Sequence, residues 1–246
     1  MAPRSEQRSS RGRRTWLHAV LFVFGALLAG FAVYVSDCYH ADQTARAALV
    51  SDEDVVIEET DFGWRFDGPA TDAALVFYPG GKVEAEAYAP LLHLLAEEGM
   101  DACLVKMPFN LAVLDVDAAS RVLGRYEYER WYVGGHSLGG AMAASFAADN
   151  PQMVEGLVLC AAYPTSALAE DLRELVVYGT RDQVLDGEKL EASRDLWPDG
   201  AVEHVIEGGN HAQFGSYGEQ ADDGTPTISA EEQRQETVDA ILAALR

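Results

Sequence analysis

The chain has 246 residues, with 40 Asp or Glu against 18 Lys or Arg, a formal charge of −22, and a 48% hydrophobic content. That length admits one large domain or two small ones, with ample apolar content for a buried core. The acidity weighs against nucleic acid as a partner, because a surface of this sign repels phosphate backbones.

The charge is unevenly placed. Arg4, Arg8, Arg11, Arg13 and Arg14 crowd the start of the chain, with Glu6 as their one acid. Residues 1–15 therefore read as a basic tail. Residues 16–35 contain no Asp, Glu, Lys or Arg. As a helix they span ~30 Å at 1.5 Å per residue, the thickness of a bilayer's hydrocarbon core. Trp16 and Tyr34 at the two ends suit the interfacial aromatic belt, and the arginines before the run should stay cytoplasmic. The expectation is a single-pass signal anchor in the cell membrane, with everything after Val35 on the extracytoplasmic side. A cleaved signal peptide has a shorter apolar run and a small-residue cleavage site, which Ser36-Asp37-Cys38 does not supply. Val35-Ser36-Asp37 likewise lacks the small apolar residues of a lipoprotein signal. A buried core helix is the third reading of this run.

Residues 36–54 read as a juxtamembrane linker or helix, and 55–246 as the folded domain. Residues 55–59 and 63–66 predict a hairpin turning near Asp61. Residues 73–78 form a short apolar run that stops at Pro79-Gly80-Gly81, as a buried strand ending in a tight loop would. Residues 85–98 carry leucines at helical spacing and end at Gly99, although Pro90 favours a start there rather than at Ala85. A strand at 102–107, a helix at 112–123, a strand at 131–133 and a small-residue helix at 141–148 follow. Strands at 156–161, 175–178 and 202–206 and an amphipathic helix at 229–245 complete the chain. This alternation predicts an α/β class fold, a mostly parallel sheet with helices on both faces. The stretch between 161 and 175 is too short for a helical lid, so the site at the strand ends should be shallow and open.

Cys38, Cys103 and Cys160 provide neither a disulfide framework nor metal-ligand spacing, and no metal or cofactor is expected. The chemistry sits elsewhere. Gly135-His136-Ser137-Leu138-Gly139 fits G-x-S-x-G, in which the serine occupies a strained strand-to-helix turn and the glycines relieve clashes with the strand and helix. An ordinary Gly-rich turn with an incidental serine is the plainer reading. Against it stands the order of the partners, serine then acid then histidine. Asp182 follows the strand at 175–178, where catalytic side chains of parallel sheets cluster. Asp186 competes but lies farther from the strand end. His211 follows the last strand on Glu207-Gly208-Gly209-Asn210. His136 in the variable slot, His204 in a strand and His93 in a helix read as structural. The backbone N–H groups of Leu138 and of Gly81, with Lys82 as second choice, are the expected oxyanion donors. Lys82 and Arg181 are cations near this site that either hold a substrate carboxylate or lie solvated.

The elbow, Tyr78-Pro79-Gly80-Gly81-Lys82 and Gly208-Gly209-Asn210-His211-Ala212-Gln213-Phe214-Gly215 together resemble the α/β-hydrolase superfamily, over roughly residues 55–245. Within it they resemble the bacterial "alpha/beta hydrolase fold-5" group, which is similar to dienelactone hydrolases. The resemblance implies a carboxylic-ester hydrolase without a cofactor, and it supports Asp182 and His211. Dienelactone hydrolases use a cysteine where this chain has Ser137, so lactone specificity does not carry over. The expected activity is serine-dependent cleavage of a small or surface-accessible ester. Amide cleavage and acyl transfer use the same triad. A membrane-anchored binding protein on a hydrolase scaffold is the alternative, and its mark would be a broken triad.

Overall fold

The computed structural model describes residues 6–69 and 72–245, in two units that divide between Cys38 and Tyr39. The first unit is one helix, α1 (Glu6–Ser36). Its segment Trp16–Ser36 has a mean hydropathy of 2.3 and is long and apolar enough to cross a membrane. Its large side chains point outward, with Phe22 79% exposed.

The second unit opens with Tyr39, which bridges to Val83, and with the short α2 (Gln43–Ala47), capped by Asp42. Ala41 and Ala45 are buried in the core. Most of the segment that reads as a linker in the sequence is thus packed against the domain, because its alanines fit a close helix contact.

Eight strands form one sheet: β1 (Val56–Glu59), β2 (Gly63–Asp67), β3 (Ala73–Tyr78), β4 (Asp101–Val105), β5 (Arg130–His136), β6 (Gly156–Cys160), β7 (Arg173–Gly179) and β8 (Val202–Ile206). Their spatial order is β1-β2-β4-β3-β5-β6-β7-β8. The β1–β2 and β2–β4 pairs are antiparallel and the rest parallel. Strands of a two-sided sheet bury both of their alternating faces, which is why they read as continuous apolar runs. On β3, Leu75 and Phe77 join one core with Leu91, Leu92 and Leu95 of α3 (Ala89–Glu97) and Ile241 of α7 (Ala230–Leu245). Val76 and Tyr78 join the other core, with Ala119 and Val122 of α4 (Ala118–Leu123), Ala143 and Phe146 of α5 (Leu138–Asp149) and Leu190 of α6 (Gly187–Ser193).

The expected mostly parallel sheet with helices on both faces is what forms. Pro90 lies in the first turn of α3, after a 3₁₀ turn at Ala85–Tyr88. The expected helix over 112–123 is not continuous. A 3₁₀ turn spans Ala112–Leu114 and the α-helix begins only at Ala118. The Tyr78 hydroxyl explains the break: it donates to the Val116 carbonyl at 2.7 Å and accepts from the Ala119 N–H at 2.8 Å, groups a continuous helix would pair internally. No helix lies between β6 and β7, which are joined by bends and turns.

Sheet register sets up the site. Tyr78 pairs with Gly135 and His136 with Cys160, which brings the loop after β3 level with the turn after β5. Gly179 pairs with Ile206, which brings the loops after β7 and β8 level with each other.

Candidate active site

Ser137 stands between β5 and α5 at φ 52° and ψ −123°, a left-handed conformation that costs an L-residue of order 1–3 kcal/mol. The turn is held by the Ser137 N–H donating to the Cys160 carbonyl at 2.9 Å and by the Ser137 carbonyl accepting from Ala141 at 3.0 Å. Two glycines make it sterically possible. A Cβ on Gly135 would lie 2.6 Å from the Tyr78 carbonyl oxygen, and one on Gly139 would lie 2.3 Å from that same oxygen. Only residues without side chains let α5 start this close to β3.

His211 and Asp182 are joined directly. His211 Nδ1 lies 2.8 Å from Asp182 Oδ2, with the two side chains 2% and 1% exposed. The other carboxylate oxygen, Oδ1, accepts from the backbone N–H of Val184 at 2.9 Å and of Leu185 at 2.8 Å. An acceptor at Nδ1 puts the imidazole proton there, leaving Nε2 as the basic nitrogen. Asp186, the competing carboxylate, caps α6 instead and pairs with Lys189 at 2.9 Å.

The loop bearing His211 is pinned to α7. Asn210 N–H donates to Gln233 Oε1 at 2.9 Å while Gln233 Nε2 donates to the Asn210 carbonyl at 2.8 Å. Asp223 accepts from the Ala212 N–H at 2.9 Å. Neither Gln233 nor Asp223 stands out in the sequence, because an isolated polar residue carries no motif. The fully buried position of Gln233 is the signal, and only the fold reveals it.

Gly81 lies against Leu138, where an added Cβ would come within 2.9 Å of Leu138 Cδ2. Of its neighbours, Gly80 donates its N–H to the Tyr88 hydroxyl at 3.0 Å and Lys82 donates its own to the Asn110 carbonyl at 2.8 Å. The Lys82 amide, the second choice as an oxyanion donor, is therefore engaged. His136, read from the sequence as structural, lines the site itself. Its ring lies 4.4 Å from that of His211 and 5.5 Å from that of Phe214, centroid to centroid. His93 and His204 are distant from the site: His93 bonds the Ala48 carbonyl and Asp52, and His204 bonds Glu236.

Comparison with known proteins identifies the family and the fold. A family model described as "Alpha/beta hydrolase family" matches residues 74–235. No curated protein matches the chain in sequence. Among solved structures, a membrane phospholipase A, described as a bacterial virulence factor, is similar at a TM-score of 0.57 and 14% identity over 97% of this chain and 99% of its own. Est1E from Butyrivibrio proteoclasticus is similar at 0.55 and 13% identity, over 78% of this chain and 99% of its own. A dienelactone hydrolase from Anabaena variabilis is similar at 0.54 and 14% identity, over 78% and 97%. Likenesses at these identities speak to the fold alone.

Proposed function

The chain belongs to the alpha/beta hydrolase family, and from that premise we propose that it is a serine hydrolase of carboxylic esters working through Ser137, His211 and Asp182. The observation that carries the reading is the buried Asp182–His211 pair at 2.8 Å, whose histidine ring lies 4.4 Å from that of His136, the residue before a serine held at φ 52°. In the reaction Ser137 Oγ bonds to the ester carbonyl carbon as His211 Nε2 takes its proton. Asp182 fixes the tautomer that leaves Nε2 free and stabilises the imidazolium that forms. The carbonyl oxygen becomes an oxyanion facing the N–H groups of Leu138 and Gly81, where one donor is worth ~3–4 kcal/mol in a comparable site. Collapse breaks the ester C–O bond, and the imidazolium gives its proton to the departing alkoxide. Water, activated by the same nitrogen, then releases the acid and restores Ser137. No cofactor or metal enters the scheme.

The helix-free connection between β6 and β7 supports a small or surface-accessible ester as substrate, since no helix covers the strand ends there. The segment Trp16–Ser36 and the arginines before it support a signal anchor, with residues 1–15 cytoplasmic and the catalytic unit outside the cytoplasm. The similarity to a membrane phospholipase A over 97% of this chain is in keeping with such an anchor.

The test is a fluorophosphonate probe on the full chain in detergent. Wild type is expected to label, and Ser137→Ala and His211→Ala are not. A folded wild type that stays unlabelled would remove the activated serine and leave a binding protein on a hydrolase scaffold.

A further inference from the structure

His136 and Tyr88 are both fully buried beside the site, and the catalytic scheme assigns them nothing. They are bonded to each other, Tyr88 Oη to His136 Nδ1 at 2.8 Å. The direction of that bond follows from a second one. The Tyr88 hydroxyl accepts the Gly80 N–H at 3.0 Å, and among the described residues His136 Nδ1 is the only acceptor bonded to it, so its single proton goes to Nδ1. A neutral His136 then carries its own proton on Nε2, a buried atom without a hydrogen-bond partner. Burial first, and the neighbouring His211 second, hold the His136 pKa well below its ordinary value, so the ring stays neutral. Packing fixes the two rings as well: Tyr88 lies 5.4 Å from Phe77 and 5.6 Å from His136, and His136 lies 4.4 Å from His211.

We propose that Tyr88 and His136 are positioning residues that tie the Gly80-Gly81 loop to the ring of His211, so that oxyanion donor and general base are set by one relay, hydrogen-bonded from Gly80 through Tyr88 to His136 and completed by ring packing on His211. The inference rests on the reading of Ser137 and His211 given above. Three segments far apart in the chain meet in it: the loop after β3 with the 3₁₀ turn that follows it, the end of β5 and the loop after β8. Each link has its own job. The Tyr88 hydroxyl orients the Gly80 peptide, and with it the next amide, that of Gly81. Its proton fixes the tautomer of His136, and the His136 ring is a wall against which His211 rests. The relay acts on transition-state geometry, so its loss should lower kcat and leave KM nearly unchanged.

The experiment compares Tyr88→Phe, His136→Leu, the double variant and His136→Asn, each as the full chain in detergent, by ester hydrolysis and by the rate of fluorophosphonate labelling. Tyr88→Phe keeps the ring and removes only the hydroxyl. It is expected to lower kcat roughly ten- to hundredfold, the effect of leaving buried polar partners unpaired. His136→Leu should lose a similar factor. The double variant should lose no more than the worse single one, because both break the same chain. His136→Asn returns an acceptor near the Nδ1 position and should recover most of the loss, whereas a role in packing volume alone would not be rescued by the smaller side chain. Near-ultraviolet circular dichroism establishes that each variant is folded. A labelled wild type with Tyr88→Phe labelling at the same rate, or single losses that multiply in the double variant, would overturn the relay while leaving the serine hydrolase standing. An unlabelled wild type would overturn both.

Discussion

Asp182 divides its two oxygens between different tasks. Oδ2 faces His211 Nδ1, while Oδ1 accepts the backbone N–H groups of Val184 and Leu185. That division makes Asp182→Asn informative. The new carbonyl oxygen must take over the two backbone donors, so its NH₂ group turns toward His211. The imidazole then accepts at Nδ1 and carries its proton on Nε2, the atom that has to receive the proton of Ser137. We expect kcat to fall about 10⁴-fold at neutral pH with the fold intact, the size of this effect in a comparable triad. Steady-state hydrolysis at pH 7 measures it, and a loss of less than tenfold would show that Asp182 does not orient the base. The order of Ser137, Asp182 and His211 and their places after strands singled out all three in the sequence, and the structure joins the last two at 2.8 Å; Gly81 was singled out by its adjacency to a strand end. The contacts of Tyr88, His136 and Gln233 were not legible. Their partners lie on other elements, and no spacing rule links a tyrosine before a helix to a histidine at a strand end 48 residues later.

At the scale of elements, β7 carries a residue that the apolar run at 175–178 conceals. Glu174, next to its start, is 1% exposed, and neither carboxylate oxygen has a hydrogen-bond partner. The strand expected at 175–178 in fact begins at Arg173, so Glu174 lies inside the sheet opposite Leu157. Burial pushes its pKa from 4.5 up to about 8. Between those two pH values the folded carboxyl keeps a proton that the unfolded chain releases. The contribution of Glu174 to stability is therefore greatest below pH 4.5 and falls as pH rises toward about 8, by up to ~1.4 kcal/mol per pH unit. Glu174→Gln has the shape of the protonated acid and should remove this slope, raising Tm at pH 8 more than at pH 5. Thermal unfolding of both proteins at the two pH values checks it, and parallel slopes would show that another group is responsible. The strands were readable because buried runs announce themselves. The broken helix before Ala118 was not, because the Tyr78 hydroxyl that interrupts it comes from a strand on the far side of 33 residues.

For the whole molecule, the two units have opposite needs. In Trp16–Ser36 the large apolar side chains are exposed and there is no core to receive them. The unit from Tyr39 onward is strongly acidic and has its own two-sided core. An acidic surface is repelled by anionic lipid headgroups, and salt weakens that repulsion. Attachment by burial of apolar side chains in hydrocarbon is insensitive to salt. Two expectations follow from that contrast. The full chain should stay with membranes through a wash in 1 M salt and leave them only with detergent. A fragment of residues 39–246 should be soluble, unfold cooperatively and react with the fluorophosphonate probe as the full chain does. Membrane flotation with and without salt measures the first, and unfolding and labelling of the fragment measure the second. Release of the full chain by salt would transfer the attachment to charge on the folded unit. A fragment that still floats with membranes would locate a second lipid contact outside the helix.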